Sequence, residues 1–133
     1  MGESELVFKG SVGEVKVRLD ENGMKDALLF KAREIAQALG KERNLNSTKL
    51  RQYYQSISRI LEGLKHKTSE SKACWTEFYL LKAKASYDST RGVIPASFRN
   101  LISSIVDYCA DDINALERAK LFLEAVVGFF PKK

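Results

Sequence analysis

The side chains that could do chemistry in this 133-residue chain are few and dispersed. The one histidine, His66, stands between Lys65 and Lys67 in a polar stretch, with no carboxylate set by sequence to orient it. A histidine so placed reads as solvated rather than as a general base. Asp111 and Asp112 are adjacent acids that could begin a paired-carboxylate metal site. Compensation of a helix N-terminus is the simpler reading. Ser103 and Ser104 fall inside a helical pattern, without the strand–turn–helix context of a nucleophile elbow. The eight glycines form neither GxGxxG nor GxxxxGK, so no phosphate-cradling loop is visible. Cys74 and Cys109 fit neither a CxxC pair nor a zinc pattern and read as small apolar side chains. The expectation is a chain that is not an enzyme, with no catalytic residue, cofactor or metal of its own.

Cations interleaved with aromatics are the stronger signal. One segment is Ser47-Thr48-Lys49-Leu50-Arg51-Gln52-Tyr53-Tyr54, continuing to Arg59. On a helix, Lys49 and Arg51 fall on either side of the apolar face and Arg59 nearly opposite it. The second runs from Leu80 to Arg91, where Leu80, Lys84, Tyr87 and Arg91 share a stripe beside the core face. Lys84 and Arg91 could hold adjacent phosphates, and Tyr87 could bond a phosphate or stack on an unpaired base. Lys82 points about 160° away from Lys84 at helical pitch. The competing reading is a solvated flank: lysine stems covering apolar surface, a core tyrosine, and an arginine on the helix C-terminal dipole.

These segments need helices to position them, and the apolar spacing supplies five. The first spans about Met24 to Leu39, with Ala32, Ile35, Ala36 and Leu39 in phase and Gly40 at its end. The second spans about Thr48 to Leu64, capped by Asn46 or Ser47, with Leu50, Tyr53, Tyr54, Ile57, Ile60, Leu61 and Leu64 on one face. A polar loop from Lys65 to Ser71 follows. The third runs from about Lys72 to Ser89, with Cys74, Phe78, Leu81 and Ala85 in phase and Gly92 beyond it. The fourth starts near Pro95, and the fifth runs from about Ile113 to Phe130, stopped by Pro131. The fifth is apolar almost all round in its last turns, so it is either the bundle centre or an interface. Residues 1–21 differ: Val15 to Leu19 alternate apolar and basic at strand period, and Gly10, Ser11 and Gly13 could turn the chain. A short hairpin and a mobile arm both fit. The fold class is therefore all-α, a compact bundle of about five helices over residues 22–133, with a short extended or hairpin-like N-terminal segment.

Composition agrees. Apolar residues are 44% and charged residues 29%, which excludes wholesale disorder. No apolar run reaches the roughly 18 residues of a bilayer span, and the start shows no secretory leader, so no membrane and a cytoplasmic location are expected. The formal charge of +5 and pI near 9.2 favour an anionic partner. A DNA-reading helix-turn-helix needs a shorter turn than Lys65 to Ser71.

Three of these stretches, in order, resemble a known family: the small subunit of the type III-A CRISPR effector, the Csm complex. Ser47-Thr48-Lys49-Leu50-Arg51-Gln52-Tyr53 is similar to its TSQLRKF-like helix start. Lys84-Ala85-Ser86-Tyr87 with Arg91 is similar to PKLAYAAGR, although Lys82-Ala83 replaces the proline. Ala119 to Phe130 is similar to FxxFxxxFEAIVAYH, with Phe129-Phe130 in place of the terminal Tyr-His. The resemblance implies a helical bundle stacking in several copies along a ribonucleoprotein filament and holding a guide RNA–target RNA duplex. Backbone and large subunits would be its partners and would carry the chemistry. It implies RNA contact at Lys49, Arg51, Lys84, Tyr87 and Arg91, to which the helix position of Arg59 adds a sixth candidate. The alternative reading is a helical protein–protein interaction module that touches no nucleic acid.

Overall fold

The computed structural model describes residues 5–10, 13–66 and 71–131, and the described residues form five helices and one hairpin. The bundle is the all-α architecture that the periodicity predicts.

The alternation at the N-terminus forms strands β1 (Glu5–Gly10) and β2 (Gly13–Arg18), paired antiparallel with Leu6 opposite Val17 and Phe8 opposite Val15. Those four side chains point inward and join the core of the helices. An isolated hairpin is marginal in water. Here helix α5 (Ala96–Cys109) supplies its packing surface, and the Val7 N–H donates to Ser104 Oγ at 3.0 Å. Of the two readings, the hairpin is the one formed. Gly13 sits at φ +104°, a conformation a side chain resists. Residues 11 and 12 of the expected turn, Ser11 among them, lie outside the described residues.

The first helix is continuous but not uniform. A short α1 (Met24–Asp26) passes through a π-helical turn at Ala27–Lys31 into α2 (Ala32–Gly40), the Ala32 N–H reaching the Ala27 carbonyl five residues back. Gly40 does not take the left-handed cap conformation. It is the last residue of α2 and lies against Pro131, whose Cγ would be 2.7 Å from an added Cβ. Close approach explains the glycine.

Helix α3 (Ser47–Lys65) starts at Asn46, whose side chain accepts from the Lys49 N–H at 2.8 Å. Helix α4 (Ser71–Thr90) follows, and residues 67–70 of the expected polar loop lie outside the described residues. Gly92 turns the chain after α4 at φ +78°. Pro95 precedes α5 with its backbone extended, donating nothing where nothing is needed. Asp112 caps α6 (Ile113–Phe129) by accepting from the Asn114 N–H at 2.9 Å. Helix α6 packs on α2 and α3 with Phe122, Leu123 and Val126 buried. The last helix is thus mainly the bundle centre, although Leu121 stays 40% exposed.

Cys109 is fully buried at the end of α5, and burial pushes its thiol up to about 12. Cys74 is only partly buried. Thiolate is the reactive form. Iodoacetamide at about pH 8 should therefore modify Cys74 in the native protein and both cysteines after unfolding, read by peptide mass. Equal native labelling would contradict the packing of α5.

Candidate nucleic-acid interface

Helices α3 and α4 pack side by side and run in opposite directions, so the two basic segments meet. The centre of the contact is a buried carboxylate. Asp88 is 4% exposed and falls on the stripe of Phe78, Leu81 and Ala85 that α4 buries. The Tyr53 hydroxyl donates to Asp88 Oδ2 at 2.6 Å, and Lys49 Nζ lies 3.7 Å from the same oxygen. Burial, and then the hydrogen bond to Asp88, raise the pKa of the Tyr53 hydroxyl and keep it a neutral donor. The Tyr53 ring meets Phe98 edge to face at 5.2 Å and carries Lys84 Nζ 5.0 Å from its centroid. A cation over an aromatic face is attracted by the ring quadrupole, which seats Lys84 without neutralising it.

Outside this centre lies a shallow polar groove lined by Gln52, Gln55, Ser56, Arg59 and Lys84. At the C-terminal end of α4, the Arg91 guanidinium sits 5.2 Å over the Tyr87 ring, and Tyr87 is 62% exposed. Among the described residues, no carboxylate lies within ion-pair distance of Arg51, Lys84 or Arg91, so their charge is available to an anion.

The six candidates do not form one cluster. Lys84, Tyr87 and Arg91 share the exposed stripe of α4, and Arg59 reaches the groove while paired with Glu77. Lys49 stands on the α4 side of α3, within ion-pair distance of Asp88. Arg51 is on the other flank, in a pocket with Leu50, Val127, Gly128 and Phe130 at the end of α6. Lys82 points away from the groove and pairs with Asp107 at 2.8 Å.

Asp88 and Tyr53 form a buried hydrogen-bonded pair that sequence reasoning missed, although it placed Tyr53 on the apolar face of its helix. The available signal was the spacing itself: Leu81, Ala85 and Asp88 recur at helical period, which puts a carboxylate where an apolar residue belongs. The remaining chemistry-bearing residues have structural surroundings. His66 ends α3 with Glu62 Oε2 3.7 Å from Nε2, so the carboxylate that sequence reading did not place comes from four residues earlier. Ser104 holds β1, and Asp112 is a helix cap. Among the described residues, no group of three His, Cys, Asp or Glu side chains could hold a metal ion, and no helix is long and apolar enough to cross a membrane.

A family model described as Csm2 Type III-A matches residues 23–131, which takes in every helix and stops short of the hairpin. No curated protein and no solved structure matches the chain.

Proposed function

The chain belongs to the Csm2 Type III-A family, small subunits of the type III-A CRISPR effector, and from that premise we propose that it binds the backbone of the guide RNA–target RNA duplex without catalysing a reaction. Association with the other subunits of the Csm complex follows from membership. The observation that supports RNA contact is the pair of unneutralised cations: Lys84, which lines a groove with amide and hydroxyl groups, and Arg91, which lies over the ring of the exposed Tyr87. Lysine and arginine release counterions from phosphates, while glutamine and serine bond phosphate or ribose oxygens. Sequence recognition is left to base pairing between the two strands.

Within this reading, Lys84, Tyr87 and Arg91 make the main contact and Arg59 closes the groove. Lys49 lends partial charge at the rim, and Arg51 meets a different stretch of backbone from the opposite flank. Copies of the chain stack along the duplex in a cytoplasmic ribonucleoprotein filament. One copy neutralises few phosphates, so binding strength comes from multivalency.

The test is fluorescence anisotropy of a labelled guide–target duplex, with the lone chain and with the assembled complex, at about 50 mM and about 200 mM salt. The lone chain should bind weakly and lose binding at the higher salt, and the complex should bind far more tightly. No binding by the lone chain at low salt, together with a complex indifferent to loss of these cations, supports the protein–protein module instead.

A further inference from the structure

The hairpin lies outside the residues that the family model matches, and one of its edges is open. The Val7 N–H points away from β2, since it donates to Ser104 Oγ on α5. Val7 and its cross-strand partner Lys16 are therefore a non-hydrogen-bonded pair, whose backbone N–H and C=O groups face outward. The alternation carries along the strand. Val15 and Val17 bond to β1, while the backbone groups of Glu14, Lys16 and Arg18 point away from it. On the β1 side, α5 closes the edge. On the β2 side, Gly23 stands against the Arg18 carbonyl, whose oxygen would lie 2.7 Å from an added Cβ. Among the described residues, nothing else bonds these outward N–H and C=O groups of β2. Two features beside the edge define what fits it. The π-helical turn Ala27–Lys31 packs on β2 and leaves Leu29 46% and Phe30 61% exposed. Such irregular turns recur at functional sites. On the outer face, Lys16 is exposed and, among the described residues, has no carboxylate within ion-pair distance.

We propose that β2 takes a third strand from another protein of the assembly, an extended segment that alternates apolar and acidic residues. Backbone chemistry sets the class of partner. The edge alternates donors with acceptors, which an extended peptide meets group for group. A phosphate backbone only accepts, and would meet only the donors. The period of two then divides the side chains of the incoming segment. Those on its inner face follow Val15 and Val17 and cover the apolar surface of the π-helical turn at Leu29 and Phe30. Those on its outer face stand beside Lys16, where an acid is favoured and a like charge is not. Lysine on an open edge also discourages indiscriminate pairing, so the charge that guards the strand selects its partner. Membership of a multi-subunit complex supplies such a partner, and RNA contact is not required.

The experiment is hydrogen–deuterium exchange of β2, read by mass spectrometry on the free chain and on the assembled complex. In the free chain the outward amides of Glu14, Lys16 and Arg18 should exchange fast, and in the complex they should slow by more than about tenfold. Two variants separate strand pairing from charge. Lys16→Ala keeps the backbone donor. Lys16→Pro removes it and leaves the β1 ladder intact, because proline is tolerated where the N–H faces solvent. Both should keep the circular dichroism spectrum of wild type. Lys16→Pro should join a complex prepared without this subunit at least about tenfold more weakly than Lys16→Ala does. Equal exchange of β2 in the free chain and the complex overturns the proposal. Equal joining by the two variants overturns it as well, because only a charge contact is then left. Protection already present in the free chain and growing with concentration places a second copy on the edge and overturns it too. The exchange comparison needs no variant, so a hairpin unsettled by proline leaves the test intact. Its readout is confined to β2, so it fails or succeeds apart from RNA binding at Lys84 and Arg91.

Discussion

Asp88→Ala is expected to lower the stability of the folded chain by about 3 kcal/mol, a loss of roughly 10 °C in melting temperature for a domain of this size. The cause is what the substitution leaves behind. Tyr53 is fully buried, and its hydroxyl has Asp88 as its acceptor at 2.6 Å. Without that carboxylate a donor sits in the core unpaired, and its desolvation is uncompensated. Lys49 also loses the negative charge 3.7 Å away. Asp88→Asn keeps an acceptor oxygen for Tyr53 and should cost clearly less. Tyr53→Phe combined with Asp88→Ala should cost less than the sum of the two single changes, because the orphaned groups disappear together. Thermal unfolding followed by circular dichroism measures the four variants beside the wild type. An Asp88→Ala variant that melts with wild type would show that α3 and α4 are held by their apolar contacts alone.

Reversing the free cations gives the largest functional effect. Lys84→Glu with Arg91→Glu in the assembled complex should weaken binding of the guide–target duplex by on the order of 100-fold at low salt, about tenfold for each reversed charge. Both side chains are exposed, and among the described residues neither has a carboxylate partner, so the fold loses little. Lys82→Glu is the matched control. It lies on the same helix and carries the same change, but it points toward α5 and is already paired with Asp107. It should leave RNA affinity nearly unchanged. A loss from Lys82→Glu equal to that from Lys84→Glu alone would mean that net charge governs binding, not the groove. Filter binding or anisotropy with reconstituted complexes distinguishes the two.

The helices were legible because their signal is local. Apolar spacing, Asn46, Pro95 and Pro131 mark their ends to within a residue or so. The hairpin was half legible: alternation showed strand character, but whether it docks depends on α5, which lies far along the chain. The π-helical turn at Ala27–Lys31 leaves no mark on a pattern read at ordinary helical pitch. At the candidate site, the wheel positions of Lys49 and Arg51 placed them on opposite flanks. Which flank meets α4 and which meets α6 is fixed by packing, and that choice separates Arg51 from the groove. Asp88 was hidden for the same reason. Its partner Tyr53 is 35 residues away, and a carboxylate on an apolar stripe shows its purpose only once the donor is in place.

The slope of affinity against salt tests the central claim most directly, because it counts phosphates neutralised. Logarithms of the duplex association constant, plotted against the logarithm of salt for the wild-type complex and for the Lys84→Ala, Arg91→Ala complex, should diverge. The variant line should be shallower by about one for each cation removed per copy in contact. Parallel lines of equal affinity would mean that these side chains never approach the RNA.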